Sequence, residues 1–159
     1  MPNPFDIPLI QLARTIVALK PQLIDEMGVE ALQFIDDNFA MQGYQGRTFI
    51  KWAPRKKEDK KRPGRAILVD TATLRRSFIK TDHATGTTIS TDVPYARYHN
   101  EGDHSTGYST PRRTFGTSRP FSRNLPQRQF LPITPDDSPV LNQKIETQLI
   151  NTITAALPH

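Results

Sequence analysis

The sequence predicts an α+β fold: an antiparallel β-sheet of about four strands, with N-terminal and C-terminal helices packed on one face and long exposed loops. Three observations predict it. Apolar residues recur at helical spacing at both ends of the chain, and β-branched residues cluster around a short turn in the middle. Two segments, 43–65 and 103–127, are polar and irregular. With 159 residues, 36% of them hydrophobic, the chain suits one modest core and a single domain over 1–159.

In chain order, Leu9, Ile10, Leu12, Ala13, Ile16, Val17 and Leu19 predict a first helix over about 7–19, with Pro8 in its first turn. Pro21 opens a second helix over about 21–42, with Ile24, Met27, Ala31, Phe34, Ile35 and Phe39 on one stripe and Gly43 and Gly46 at its end. The extended loop 43–65 holds an apolar cluster, Phe49, Ile50 and Trp52, in which the Trp should clamp the loop to the core. Ala66 to Val69 reads as a short buried segment, and Thr71 to Arg76 as a helical turn.

Residues 77–82 and 87–93, separated by His83 to Gly86, predict a β-hairpin. Pro94 to Glu101 predicts one or two helical turns stopped by Gly102. The extended loop 103–127 has no periodicity, a length that tends to be functional or ordered by a partner. Gln129 to Ile133 reads as another strand. Ser138 then caps a helix with Pro139 at its first position, and Leu141, Ile145, Leu149, Ile153 and Leu157 form a stripe to pack on the sheet.

Composition excludes several classes of chemistry. With no cysteine there is no disulfide framework and no thiolate zinc site. No apolar run approaches the length of a membrane span, and the start of the chain lacks the pattern of a signal peptide, so no membrane partner is expected. The net charge of +5 and a pI near 9.7 permit nucleic acid or an acidic partner without requiring either. Phosphate-cradling and nucleophile-elbow motifs are absent from the sequence.

His99, Glu101 and His104 form the one grouping suggestive of a metal, but their spacing lacks a ligand motif, and surface polar groups are the plainer expectation. Asp36 and Asp37 should lie on a helix exterior, and Asp136 and Asp137 near a helix N-terminus. Two basic stretches could face DNA or another subunit: Lys56, Lys57, Lys60, Lys61 and Arg62 in the first, and Arg112, Arg113, Arg119 and Arg123 in the second. Tyr108, Phe115 and Phe121 interleave the latter. A basic nucleic-acid-binding module is therefore the alternative to a structural role.

Three motifs carry a resemblance. Leu68 to Ser77 follows L-x-x-T-G-x-L-x-x-S except for Ala72 in place of Gly; Val93 to Gly102 follows V-x-Y-A-x-x-H-x-x-G; Arg128 to Leu131 follows R-x-F-L. With an upstream apolar helix and Trp52, the chain resembles the phage virion morphogenesis, or tail completion, family of Mu-like phages, departing from it at Ala72 and in the insertion 103–127.

The resemblance implies a structural virion protein, not an enzyme, with no cofactor and no metal. It would act as a tail completion, tail terminator or head-tail joining subunit of a homo-oligomeric ring, by resemblance a hexamer. Its neighbours would be the tail tube and the head connector or neck, with DNA passing through the lumen without sequence-specific binding. Its place would be the virion, assembled in the bacterial cytoplasm. Thr71, Leu74, Ser77, Tyr95, Ala96, His99, Gly102, Arg128, Phe130 and Leu131 carry the motifs and are expected to be structural. Ala72 argues against a tight positive-φ turn there, because a Cβ is disfavoured in that conformation.

Overall fold

A computed structural model describes residues 6–55, 64, 66–69, 71–108, 120–122 and 124–157, with the backbone alone at 6–8, 107–108 and 120–122. Its first element, helix α1, runs without interruption over Asp6–Met41, about 54 Å at 1.5 Å per residue. The predicted break at Pro21 does not occur. Proline there removes one bond to the carbonyl of Val17, but both residues lie on an exposed face, where water can serve that oxygen.

The end of α1 also differs from expectation. Gln42, not a glycine, takes the left-handed conformation at φ 56°. Its amide makes the strain tolerable: Nε2 donates to Phe39 O at 2.7 Å and Ile67 O at 3.2 Å, while Oε1 accepts from Ile67 N. The helix end is thereby tied to the turn at 66–69, in which Ala66 is exposed and Ile67 to Val69 are half-buried.

In place of one four-stranded sheet, the described residues form three separate two-stranded antiparallel ladders. Strand β1 (Gly43–Gln45) pairs with β2 (Phe49–Lys51) inside the segment expected to be loop. After the short helix α2 (Thr73–Arg76), β3 (Ile79–His83) pairs with β4 (Gly86–Ser90) across Ala84-Thr85, the hairpin that the β-branched pattern predicts. Helix α3 (Ala96–Glu101) follows.

Then β5 (Thr106–Tyr108) pairs with β6 (Pro120–Ser122), and an Asp103–Leu125 bridge closes the base of the 103–127 segment, which is therefore not wholly irregular. Gln129 to Ile133 joins no ladder, so the strand expected there is corrected. Its backbone is served by side chains instead, as described below.

Helix α4 (Pro139–Ala156) begins as predicted: Pro139 occupies the first turn and Ser138 Oγ accepts from Leu141 N at 3.2 Å. That hydroxyl also donates to Gln45 O at 2.9 Å, fastening the cap to β1. The apolar stripe of α4 faces α1 rather than a sheet. The two helices run antiparallel, pinned by Lys144 Nζ to Asp37 at 2.9 Å and Thr152 Oγ1 to Glu26 at 2.6 Å. A two-stranded ladder is too narrow to cover an 18-residue stripe, and α1 is the long apolar surface within reach.

The core sits where the C-terminal half of α1 meets α2, α3, Trp52 and the 128–131 segment. Ile35, Phe39, Trp52, Leu74, Val93, Ala96 and Phe130 are buried together, with Phe78, Ile89 and Leu131 at the margin. Aromatic rings interlock: Phe39 meets Trp52 edge-on at 5.3 Å and Phe130 at 5.5 Å, and Phe78 meets Phe130 at 5.5 Å. Trp52 thus clamps its segment to the core as expected, whereas Phe49 and Ile50 remain exposed. Among the described residues no helix is long and apolar enough to cross a membrane.

Candidate functional site

The three sequence motifs, distant along the chain, meet around one strap of backbone at 128–131. Phe130 inserts its ring into the core at 1% exposure, leaving the flanking peptide groups without strand partners. Each is answered by a side chain or a helix end. Asn100 Oδ1, in α3, accepts from both Phe130 N and Leu131 N at 2.9 Å. Asn38, fully buried on α1, donates to Phe130 O at 3.3 Å and accepts from Gln45 N at 3.0 Å. Trp52 Nε1 donates to Gln129 O at 2.7 Å, and Arg128 N to His99 O at 2.7 Å.

Buried backbone groups cannot be left unpaired without a free-energy cost, so this set of side chains replaces a strand ladder. Asn38 and Asn100 were not singled out from the sequence. Their partners lie 92 and 30 residues away, and no local spacing marks an asparagine as a backbone clasp.

Arg128 turns the opposite way. The residue is 5% exposed, and its guanidinium donates to Ala53 O at 3.0 Å and Pro54 O at 3.2 Å, binding the segment after β2 to the strap. Burial lowers its pKa from the usual arginine value, and the nearby positive charge of Arg55 adds to the effect. His99, half-buried, is lowered likewise by burial first and by Arg128 second, so it favours the neutral form. The expectation of a surface histidine is corrected: its ring stands edge-on to Tyr95 at 6.0 Å and its Nδ1 is buried.

The first motif forms the turn that aims Leu74 into the core. Ala72 sits at φ 56°, ψ 13°, in the left-handed region, so the positive-φ turn is present although the residue is alanine. Thr71 Oγ1 lies 2.6 Å from Thr73 Oγ1 and accepts weakly from Thr73 N at 3.4 Å. Leu74 is 2% exposed, and Ser77 Oγ donates to Leu74 O at 2.9 Å and meets Thr91 Oγ1 at 2.5 Å, fastening α2 to the segment after β4.

In the second motif Val93 and Ala96 are buried, while Tyr95 and Tyr98 are exposed. Gly102 ends α3 at φ 81°, and a Cβ there would come within 3.3 Å of Gln127 N and Leu125 O, so the backbone itself requires glycine. The ten motif residues therefore divide: Leu74, Ala96, Arg128 and Phe130 are buried, Thr71 and Tyr95 are exposed, and Ser77, His99, Gly102 and Leu131 lie between.

Of the acidic pairs read from the sequence, Asp36 and Asp37 are ion-pair anchors, whereas Asp137 is held by neutral donors. Arg75 grips Asp36 with two bonds of 2.5 and 2.6 Å, which hold that carboxyl below its usual range. Burial pushes Asp37 upward, but bonds from Lys144 and Gln33 outweigh it and leave it below the usual range. Asp137 accepts from Thr134 Oγ1, Thr134 N and Ile133 N at 2.7 to 2.9 Å, which holds its carboxyl low and folds the turn leading into α4. Lys80 extends across Gly28 of α1 to pair with Asp25 and, at 3.0 Å, with Asp82.

The nine cations expected to face DNA or a subunit, Lys56, Lys57, Lys60, Lys61, Arg62, Arg112, Arg113, Arg119 and Arg123, lie outside the described residues, as does Phe115; of Tyr108 and Phe121 only the backbone is described. Among the described residues no group of three or more His, Asp or Glu is placed to hold a metal ion. The arrangement they do show is a mechanical one, in which short segments are fastened to a long helix by buried amides, an arginine and a tryptophan.

A profile of the phage virion morphogenesis family matches residues 6–150, which covers α1 through most of α4 and all three motifs. No curated protein and no solved structure matches the chain. The match spans the strap, the turn that presents Leu74 and the helix that supplies Asn100, so the sequence on which the core is built is also the family's sequence: the chain belongs to the phage virion morphogenesis family.

Proposed function

We propose that this chain is a ring-forming subunit of a tailed phage particle, acting in tail completion or in the joint between head and tail, with no catalytic step. Family membership supports a role in building the virion. The observation that carries the finer reading is how the apolar residues are distributed. The buried motif residues fill the interior, yet Phe49 and Ile50 on β2, Ile79 on β3 and Ile150 on α4 stay 48 to 61% exposed. A single exposed apolar side chain is ordinary; here they lie on three separate elements, and the reading takes them as surfaces that neighbouring subunits cover.

A closed ring of identical subunits needs two different complementary patches on each copy, and separate elements can supply them. The hexamer number, the tail tube and head connector as neighbours, and DNA passing through the lumen follow from the resemblance and form part of the proposal. Deleting the gene from its phage and imaging the lysate is the test. Unjoined heads and tails, or tails without a finished end, are expected, with rescue by the gene in trans. Fully assembled, infectious particles from the deletion would overturn the reading.

A further inference from the structure

Among the described residues, helix α1 outruns the rest of the fold. Helix α4 lies beside it antiparallel and stops at Ala156, where Leu157 turns extended (φ −77°, ψ 133°), next to Leu19. The first turns of α1, residues 6–18, therefore overhang by about 20 Å. On that overhang Leu9 is 65% exposed, Ile10 49%, Leu12 37%, Ile16 44% and Val17 72%. Arg14 is the one charge between Leu9 and Leu19.

Leu9, Leu12, Ile16, Leu19 and Leu23 step by three, four, three and four, the seam by which two helices pack. Leu19 and Leu23 are half-buried, and Leu19 lines a groove of about 390 Å³ with Ala155 and Ala156. Upstream the same seam is uncovered among the described residues.

We propose that the overhang pairs with the overhang of a second copy in a two-fold antiparallel contact. Centred on Arg14, the pairing sets Leu12 against the partner copy's Ile16 and seats Leu9 in the other copy's groove at Leu19, Ala155 and Ala156. From Leu9 to Leu19 every seam position then meets an apolar one, and each contact occurs twice, as an isologous interface requires. The seam side chains Leu9, Leu12 and Ile16, with Leu19, Ala155 and Ala156 of the groove, present on the order of 400 Å² per copy, and two copies together reach about 800 Å², the size of a weak, concentration-dependent contact; Ile10 and Val17 lie off the seam. A near-uncharged helix face matches another such face better than a phosphate backbone or an acidic partner. The contact stands apart from the ring reading, since a two-fold pairing closes on itself and leaves the ring's patches elsewhere.

Sedimentation equilibrium of the full chain tests it, beside Leu12→Glu and Ile16→Glu. Both positions are exposed in the protomer, and unchanged circular dichroism will show that the variants fold. A dimer is expected for the native chain, weakened at least tenfold in either variant. Because the chain has no cysteine, the double variant Leu12→Cys, Ile16→Cys should cross-link into dimers on mild oxidation, while Gln11→Cys on the far face stays unlinked. A native chain that is monomeric at a concentration on the order of 100 µM, or a double variant that fails to link, would overturn the pairing. A larger oligomer unchanged by either Glu substitution would also overturn it while leaving the ring intact. Flotation of a monomeric native chain with phosphatidylcholine vesicles would assign the face to lipid instead.

Discussion

The two halves of α1 are made of similar residues and meet opposite fates. Downstream, Ile24, Phe34, Ile35 and Phe39 are at most 7% exposed, covered by the strap, the α2 turn, the hairpin and Tyr44. Upstream, Leu9 to Val17 carry apolar side chains that no other described residue buries. Helical periodicity marks which side chains gain from leaving water, but the identity of the cover depends on segments far along the chain or on another molecule. The half that the family motifs cover is the half that holds the fold.

Substitutions should separate the two halves sharply. Phe130→Ala removes the ring that plugs the downstream half and should cost about 3–5 kcal/mol in urea unfolding, enough to unfold a marginal domain. Asn100→Ala keeps the ring but orphans Phe130 N and Leu131 N, with an expected loss of roughly 2–4 kcal/mol. A loss below about 0.5 kcal/mol would mean that water, not Asn100, serves the strap.

Alkali attacks the same half. Burial pushes the Tyr44 hydroxyl up to about 12, beside Phe34 at 5.9 Å between ring centroids. An unfolded tyrosine gives up its proton from about pH 10, so this stabilisation is full below pH 10 and is lost as pH rises to 12. The expected fall is about 2–3 kcal/mol, read as the urea midpoint against pH, and Tyr44→Phe should flatten it.

Ala72→Gly should raise stability by roughly 0.5–1 kcal/mol, since the left-handed conformation penalises the alanine Cβ by more than glycine's extra chain entropy. In the overhang, by contrast, Leu12→Ala and Ile16→Ala should change protomer stability by less than about 0.5 kcal/mol at dilutions where copies are apart. A large loss there would erase the distinction between the halves.

What the sequence revealed follows the range of the interactions concerned. The Ser138 cap, the Pro139 start and the β3–β4 hairpin rest on contacts within a few residues, and each is legible; the stop at Gly102 is legible from its residue type although Leu125 and Gln127 also press on it. Pro21 misleads because an interior proline disturbs a helix without having to end it, and on an exposed face water can serve the carbonyl that loses its bond. The α4 stripe was read correctly as a stripe, but its partner was α1, and periodicity names a face without naming what it meets. The strap at 128–131 looked like a strand because its residues favour one. Its actual partners, Asn38, Trp52 and Asn100, are 30 to 92 residues distant and left no local trace.

The strap also sets the order of events when the chain is made. Phe130 must close over Phe39 and Asn38, which emerge from the ribosome some 90 residues earlier, so the interior cannot be sealed until most of the polypeptide exists. Until then the aromatic bed waits open, and a chain stalled before residue 128 is a ready target for chaperones or proteases. A virion component that completes its interior last is thereby admitted to assembly only when nearly whole.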